Sequence, residues 1–335
     1  MKQTEATQVE ITLSQAIEGF LLDKEIAGAS PYTIRNYKLS LHRFATFLET
    51  DPPILSIETN QARAYIHHFQ TTQLVPAGIA PRPAKLPSPK TVLNEYTALA
   101  SFWSWAVAEA YTEYHIIQSI KPPRPSEPNI DPLTQDDFQA LLKATDFTAS
   151  WKDKPRTRSH RPEILRQRDR AMLLFLLDTG VRAAELCRLC IADLDLKNGS
   201  ATITGKSRLN SGRGKTRVVH FGRNTRKAIW EYLITREADP GDPVFATTGG
   251  GFLDRRHLGR HIKRLAERAG LKNVNPHRFR HTFAINYLRN GGDIYTLQSI
   301  LGHTSLDMVR RYLKIAEADC ADAHRRASPV DNWLK

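Results

Sequence analysis

Six polar side chains in the second half of the chain stand at the edges of recognisable segments. Arg182 follows a Thr-Gly pair, Lys206 follows a β-rich run, His277 and Arg280 lie in HRFRH, His303 follows Leu-Gly, and Tyr312 lies nine residues later among arginines. Such a set can break a phosphodiester without a metal. That reaction needs a nucleophile, donors for the non-bridging oxygens as charge builds, a proton acceptor, and a proton donor for the leaving alkoxide. Arginine offers a planar fork of donors matched to phosphate oxygens, a duty Arg182 and Arg280 can share; preorganised donors of this kind contribute on the order of a hundredfold each in rate. A phenol of ordinary pKa about 10 attacks poorly at neutral pH unless a base or cationic surroundings help remove its proton. Tyr312 alone reads as either a packed aromatic or that nucleophile. Arg182 alone reads equally as the partner of Glu185 in a surface ion pair.

The elements that must position these groups are mostly helices. Asn275 and Pro276 mark a helix start that projects His277 and Arg280, three apart, from one face near an N-terminus, where anions are favoured. RDRAMLLFLLDTG is a buried helix ending at Gly180, and VRAAELCRL begins another. SATITG and TRVVHF are short β-rich runs joined by KSRLNSGRGK, a hairpin with a long basic tip and the one convincing sheet signal. Upstream, LTQDDFQALLKA opens on a Thr134/Asp137 capping box. The fold class is therefore mainly α with a small β-sheet.

The first part of the chain is helical as well. Ser30 caps a helix whose first residue is Pro31, with Tyr32, Ile34, Tyr37, Leu41, Phe44, Phe47 and Leu48 on one apolar stripe. Another helix covers about Thr59 to Phe69, and a third carries Phe102, Trp103 and Trp105, whose spacing favours a core role over base stacking. KPPRPSEPNIDP is a semi-rigid, proline-rich linker. The domains are accordingly residues 11–122, a linker over 123–132, and residues 133–335.

Composition narrows the partner. With 335 residues and 41% hydrophobic content, two domains can each bury a core. The net charge is +13, and all of it lies beyond residue 125: residues 1–125 carry 11 Lys+Arg and 11 Asp+Glu, against 37 and 24 in the remainder. A basic excess confined to one domain favours a polyanion, because Lys and Arg that neutralise phosphates release counterions. The stretch from Trp151 to Arg170 carries eight Lys+Arg against three Asp+Glu, and reads either as a DNA-facing loop or as a solvated surface. Cys187 and Cys190 read as reduced helix residues, since a lone CxxC is weak evidence for zinc or redox work. No run approaches 18 apolar residues and the start lacks a secretory pattern, so a soluble, cytoplasmic protein with no membrane association is expected.

TGVRAAEL, ITGK, HRFRHTFAINYL and LGHTSLDMVRRY occur in that order, and the series resembles the motifs of the tyrosine recombinase (phage integrase) family, with an Xer-like two-domain architecture. The resemblance implies a helical core-binding (SAM-like) domain followed by an α+β catalytic domain, the two clamping a duplex. It implies further that Tyr312 attacks a DNA phosphate to give a 3′-phosphotyrosyl link and a free 5′-hydroxyl. Arg182, Arg280 and His303 hold the phosphate, His277 assists proton transfer from the tyrosine, and Lys206 protonates the leaving oxygen. The hairpin tip is longer than the family's usual turn, which makes Lys215 the alternative to Lys206. No cofactor or metal is implied. Double-stranded DNA is the implied partner, with a homo-tetramer on two sites exchanging strands through a Holliday junction, and with a related recombinase or a DNA-bending helper as further company. His281 is expected to be structural. A type IB topoisomerase and a non-catalytic DNA-binding regulator are the other classes the residues leave open.

Overall fold

The computed structural model describes residues 10–74, 83–125, 130–147, 161–205, 216–303, 305–316, 324 and 328–333. It divides the chain into two compact units on either side of residues 128–129.

The first unit is built on four helices, α1 (Leu13–Ile26), α2 (Pro31–Phe47), α3 (Thr59–Thr71) and α4 (Pro89–Ala108). Their starts are fixed by side chains that take up otherwise unpaired N–H groups: Thr12, Ser30 and Ser88 each accept from the backbone three residues on, and Pro31 and Pro89 occupy first positions where no N–H is needed. Phe20, Phe44, Tyr65, Phe102, Trp103 and Trp105 interlock edge to face in the core, so the tryptophan-bearing helix is a packing element. Tyr32 departs from the expected stripe: at the first turn of α2 it is exposed. Within this core α4 carries the buried Glu95, which accepts from Ser40 Oγ at 2.8 Å and Tyr65 Oη at 2.5 Å. Burial, then Glu95 itself, pushes the Tyr65 pKa well above that of an ordinary phenol.

The second unit comprises α5 (Gln135–Ala144), α6 (Glu163–Thr179), the one-turn α7 (Ala183–Leu186), a three-stranded antiparallel sheet, α8 (Arg223–Leu233), α9 (Arg255–Arg268), α10 (Pro276–Arg289), α11 (Ile294–Leu301) and α12 (Asp307–Ala316). The strands are β1 (Leu194–Asp195), β2 (Ser200–Thr204) and β3 (Thr216–His220), in the order β1-β2-β3. The hairpin register pairs Ser200 with His220 and Thr204 with Thr216. β1 is too short to show an alternating pattern, which is why only the hairpin is legible in the sequence. The main core gathers α6, the sheet, α8 and α9 around Phe175, Ile203, Val219, Ile229, Phe245 and Leu258, and a smaller one joins α10, α11 and α12 around Ile285, Leu297, Leu301, Val309 and Tyr312.

Gly180 ends α6 in the left-handed conformation, φ 60°, and a Cβ there would meet the Phe283 ring at 2.4 Å. Only glycine permits both the turn and the approach of α10. Cys187 and Cys190 are free thiols, yet neither lies inside a helix: Cys187 caps α7, and Cys190 bridges to Pro243. The basic stretch is described only from Arg161 onward. There Arg161 and Arg168 face inward onto the buried Asp169, at 2.5 and 2.9 Å, so for these two residues neither the DNA-facing nor the solvated reading holds. Among the described residues no helix is long and apolar enough to cross a membrane.

Candidate active site

Helix α10 sets the frame. Asn275 Oδ1 accepts from the N–H groups of His277 and Arg278 at 3.0 and 3.1 Å, and Pro276 takes the first helical position. His277 is left exposed at the first turn, and Arg280 points inward three residues later. Arg280 donates through Nη1 to the Gly180 carbonyl at 2.8 Å and through Nη2 to the Leu301 carbonyl at 2.7 Å. These carbonyls belong to the ends of α6 and α11, where backbone acceptors lack helical partners and the dipoles are negative, so one guanidinium satisfies two helix ends.

His303 follows Gly302, the left-handed cap of α11. Its Nε2 lies 2.7 Å from Arg280 Nη2. Because arginine can only donate, Nε2 is the acceptor and the ring proton of neutral His303 sits on Nδ1. That Nδ1 is buried without a partner among the described residues. Burial, then Arg280 and Arg182, pushes the His303 pKa down to about 4, which keeps the ring neutral at physiological pH. Burial, then Arg182, likewise lowers the Arg280 pKa to about 10, still well within the charged range.

Arg182 caps α7. Its Nη1 donates to Glu185 Oε1 at 2.9 Å, and its Nη2 to the Gly302 carbonyl at 3.2 Å. The ion pair with Glu185 that the spacing allows is therefore formed, but only half of it is at the surface: the Arg182 side chain is 36% exposed and that of Glu185 only 5%. The Glu185 carboxylate also accepts both terminal nitrogens of Arg217, at 3.0 and 2.7 Å. Burial works to raise its pKa, and Arg217 and then Arg182 outweigh that and hold it below the usual carboxylate value.

Tyr312 has 0% exposure and packs with Val309 and Leu297, so it is a core aromatic. Its hydroxyl is nonetheless engaged: Arg311 Nη2 donates to it at 3.3 Å, and His281 Nδ1 lies at 2.8 Å. Oη thus accepts from Arg311 and shares one hydrogen bond with His281 Nδ1. Burial, then Arg311, His277 and Arg280, pushes the His281 pKa down to about 4. His281 is thus a neutral ring that holds the phenol in place. The His277 pKa is lowered too, by burial and then by Arg280 and Arg182.

The structure accordingly brings Arg182, Arg280 and His303 into one hydrogen-bonded cluster, with His277 within their electrostatic reach, and joins Tyr312 to His281. Lys206 and its alternative Lys215 lie outside the described residues. His281, expected to be structural, is the residue on the Tyr312 hydroxyl. Arg217 is the member that the sequence does not reveal, since it carries no signal beyond its place on a strand.

Residues 132–319 match the family model described as Phage integrase family. Across 98% of this chain and 99% of the relative, the sequence is 27% identical to Tyrosine recombinase XerC of Oceanobacillus iheyensis. It is 26% identical to Tyrosine recombinase XerD of Listeria innocua, over 90% of this chain and 94% of that protein. In fold it is similar to the Tn1549 transposon integrase solved with transposon right end DNA, with a TM-score of 0.67 at 21% identity over 95% of this chain and all of that one. A lambda integrase dimer bound to a COC' core site aligns with a TM-score of 0.64 at 18% identity, over 89% of this chain and 97% of that one.

Proposed function

The chain belongs to the phage integrase family, and from that membership together with the site just described we propose how it acts: it is a tyrosine-type site-specific DNA recombinase in which Tyr312 is the nucleophile. The observation that carries this reading is the convergence of Arg182, Arg280 and His303, from three separated motifs, on one cluster held by the ends of α6 and α11. A phosphodiester is the ligand this cluster suits. Two guanidiniums meet its charge, and a non-bridging oxygen gives the unpartnered Nδ1 of His303 the acceptor it lacks. A buried donor left unsatisfied costs about 1–3 kcal/mol, so the site gains from filling.

In the proposed reaction Tyr312 Oη attacks the phosphorus, the bond to the 5′-oxygen breaks, and a 3′-phosphotyrosyl link forms. Arg182, Arg280 and His303 take up the charge that grows on the non-bridging oxygens. The phenol proton leaves toward the histidines of α10, with His277 in the assisting role and His281 holding the hydroxyl beforehand. Both are weak bases in the free protein, first because their rings are partly withdrawn from water and then because of the surrounding arginines. A bound phosphate neutralises part of that field and raises their basicity at the moment the proton must go. Lys206, or Lys215 in its place, protonates the departing 5′-oxygen. A 5′-hydroxyl from a partner duplex then attacks the phosphotyrosine, which conserves the bond energy without ATP.

The helical unit, residues 11–122, serves as the DNA-binding domain, and residues 133–335 as the catalytic one. Double-stranded DNA is the substrate. Four protomers on two sites exchange strands in pairs through a Holliday junction, and a segment around 319–335 docks on a neighbour. Covalent capture from a pool of random-sequence nicked duplexes tests the chemistry: wild type should leave denaturant-resistant adducts sharing a sequence, and Tyr312→Phe should bind DNA without forming any. Adducts undiminished in Tyr312→Phe would overturn the nucleophile assignment. Adducts accompanied by supercoil relaxation but never by joining of two sites would point instead to a nicking and resealing enzyme.

A further inference from the structure

Arg217, on β3, touches no residue assigned a chemical step other than through its partners, yet it contacts both supports of Arg182. Its Nη1 and Nη2 donate as a fork to the two oxygens of Glu185, at 3.0 and 2.7 Å, and its Nε donates to the Ile300 carbonyl at 2.6 Å. Glu185 in turn accepts from the Arg182 backbone N–H at 2.8 Å and from its Nη1 at 2.9 Å. The turn that follows Ile300 supplies the Gly302 carbonyl that accepts Arg182 Nη2, and then His303. That turn lies against the Arg217 side chain: a Cβ on Gly302 would come within 3.3 Å of Arg217 Nη1.

The charges explain why a second arginine is needed. A buried carboxylate is costly unless it is paired and hydrogen-bonded. With Arg182 as its sole cation, Glu185 would cancel the charge that a phosphate is meant to feel and would pin the guanidinium in the process. With Arg217 present, the trio carries a net positive charge, and the uncancelled charge rests on the one member that is substantially exposed. Lysine cannot replace the fork, because a single ammonium cannot span both carboxylate oxygens and the Ile300 carbonyl in one geometry.

We infer that Arg217 is a positioning residue for strand cleavage: it meets Glu185 and the Ile300–Gly302 turn so that Arg182 and His303 are held in phosphate-binding register and the charge of Arg182 is left for the phosphate. The inference rests on the recombinase reading above. Arg217 also sits on the strand that leads out of the hairpin tip, where Ile203 is its partner on β2, so the test must separate an effect on the phosphate from one on the leaving group.

Full-length wild type, Arg217→Gln and Arg217→Lys are compared on the duplex sequence that wild type captures from the random pool. Single-turnover adduct formation is followed at saturating DNA, on the normal duplex and on one whose scissile 5′-oxygen is sulfur, a leaving group that needs no proton. Arg217→Gln should slow adduct formation by about a hundredfold on both substrates, with DNA affinity changed far less. Arg217→Lys, which retains the stem and charge and is the variant to rely on should the glutamine form not fold, should still be slowed by about tenfold on both. A rate within threefold of wild type in the folded lysine variant, or recovery of the rate by the sulfur substrate, would overturn the inference. Absence of any adduct with wild type would overturn the recombinase reading, and this inference with it.

Discussion

Among its described residues the second unit contains two buried carboxylates that each face two arginines, and they are put to different uses. Asp169 has no exposure and receives Arg161 and Arg168, each with a side chain only 9% exposed, together with His261 Nε2 at 2.8 Å. Glu185 receives Arg182 and Arg217 with the same kind of geometry, but Arg182 remains more than a third exposed. At Asp169 the cations are consumed: Arg168 also donates to the Ala246 carbonyl at 2.9 Å, so the cluster ties α6 to the segment before α9. At Glu185 one cation is held from behind and presented in front. The pairing itself does not distinguish a structural cluster from a functional one; the accessibility of one partner does.

The largest effects separate the two clusters. Asp169→Asn leaves Arg161 and Arg168 buried without a counter-charge, and should cost about 3–5 kcal/mol of folding stability. Arg182→Gln should cost no more than about 1 kcal/mol, since Arg217 still meets Glu185, while slowing adduct formation by about a hundredfold or more. Urea denaturation and single-turnover capture, run on both variants, check this directly. A stable Asp169→Asn, or an Arg182→Gln that loses stability as heavily as activity, would erase the distinction.

How far the site was legible in the sequence follows from the range of each signal. The start of α10 at Asn275-Pro276, the stop of α6 at Gly180 and the Leu-Gly pair before His303 are each written in a few adjacent residues, and they carry Arg182, Arg280 and His303 to one place. Glu185 was visible only as the i+3 neighbour of Arg182, so the sequence suggests a surface pair; its burial depends on Arg217, 32 residues away. Arg217 itself reaches 83 residues along the chain to Ile300. Strand alternation can assign such a residue to a face but cannot name its partner. His281 reads as structural beside Arg280; helical spacing places it one turn from His277 but does not show that its partner is the Tyr312 hydroxyl. The burial of Tyr312 reflects how α12 packs on α10 and α11, which local spacing does not set.

Acid titration sharpens the comparison because the two clusters should respond in different windows. The Asp169 pKa is pulled upward by burial and more strongly downward by His261, Arg168 and Arg161, to about 2. A carboxyl depressed on folding stabilises above its unfolded value and loses that contribution as pH falls toward the folded one. The Asp169 term, about 2.5 kcal/mol for a shift of this size, should therefore persist to pH near 4 and fade only toward 2. His303 behaves differently. Its folded pKa of about 4 lies below the ordinary 6.5, so the unfolded chain binds the proton first and stability falls as pH drops from 6.5 toward 4. The slope from this residue is at most about 1.4 kcal/mol per pH unit. Denaturation midpoints between pH 7 and 4 should decline in wild type and decline less in His303→Gln. Equal slopes would mean that His303 takes up a proton in the folded protein as readily as in the unfolded one.

The smallest expected effect tests whether burial, rather than membership of the basic stretch, gives an arginine its weight. Arg166 lies between Arg161 and Arg168 in sequence and also makes ion pairs, with Glu163 at 2.7 Å and more loosely with Asp146 at 3.9 Å, but all three side chains are about a third exposed or more. Such a pair gains little, because water screens the charges and two long side chains must be held in one geometry. Arg166→Gln should leave the urea midpoint unchanged within error, at low salt as well as high. A clear loss of stability would tie this exposed residue to the Asp169 cluster and extend that cluster to the surface; no change beside a large loss in Asp169→Asn would confine it to the buried side chains.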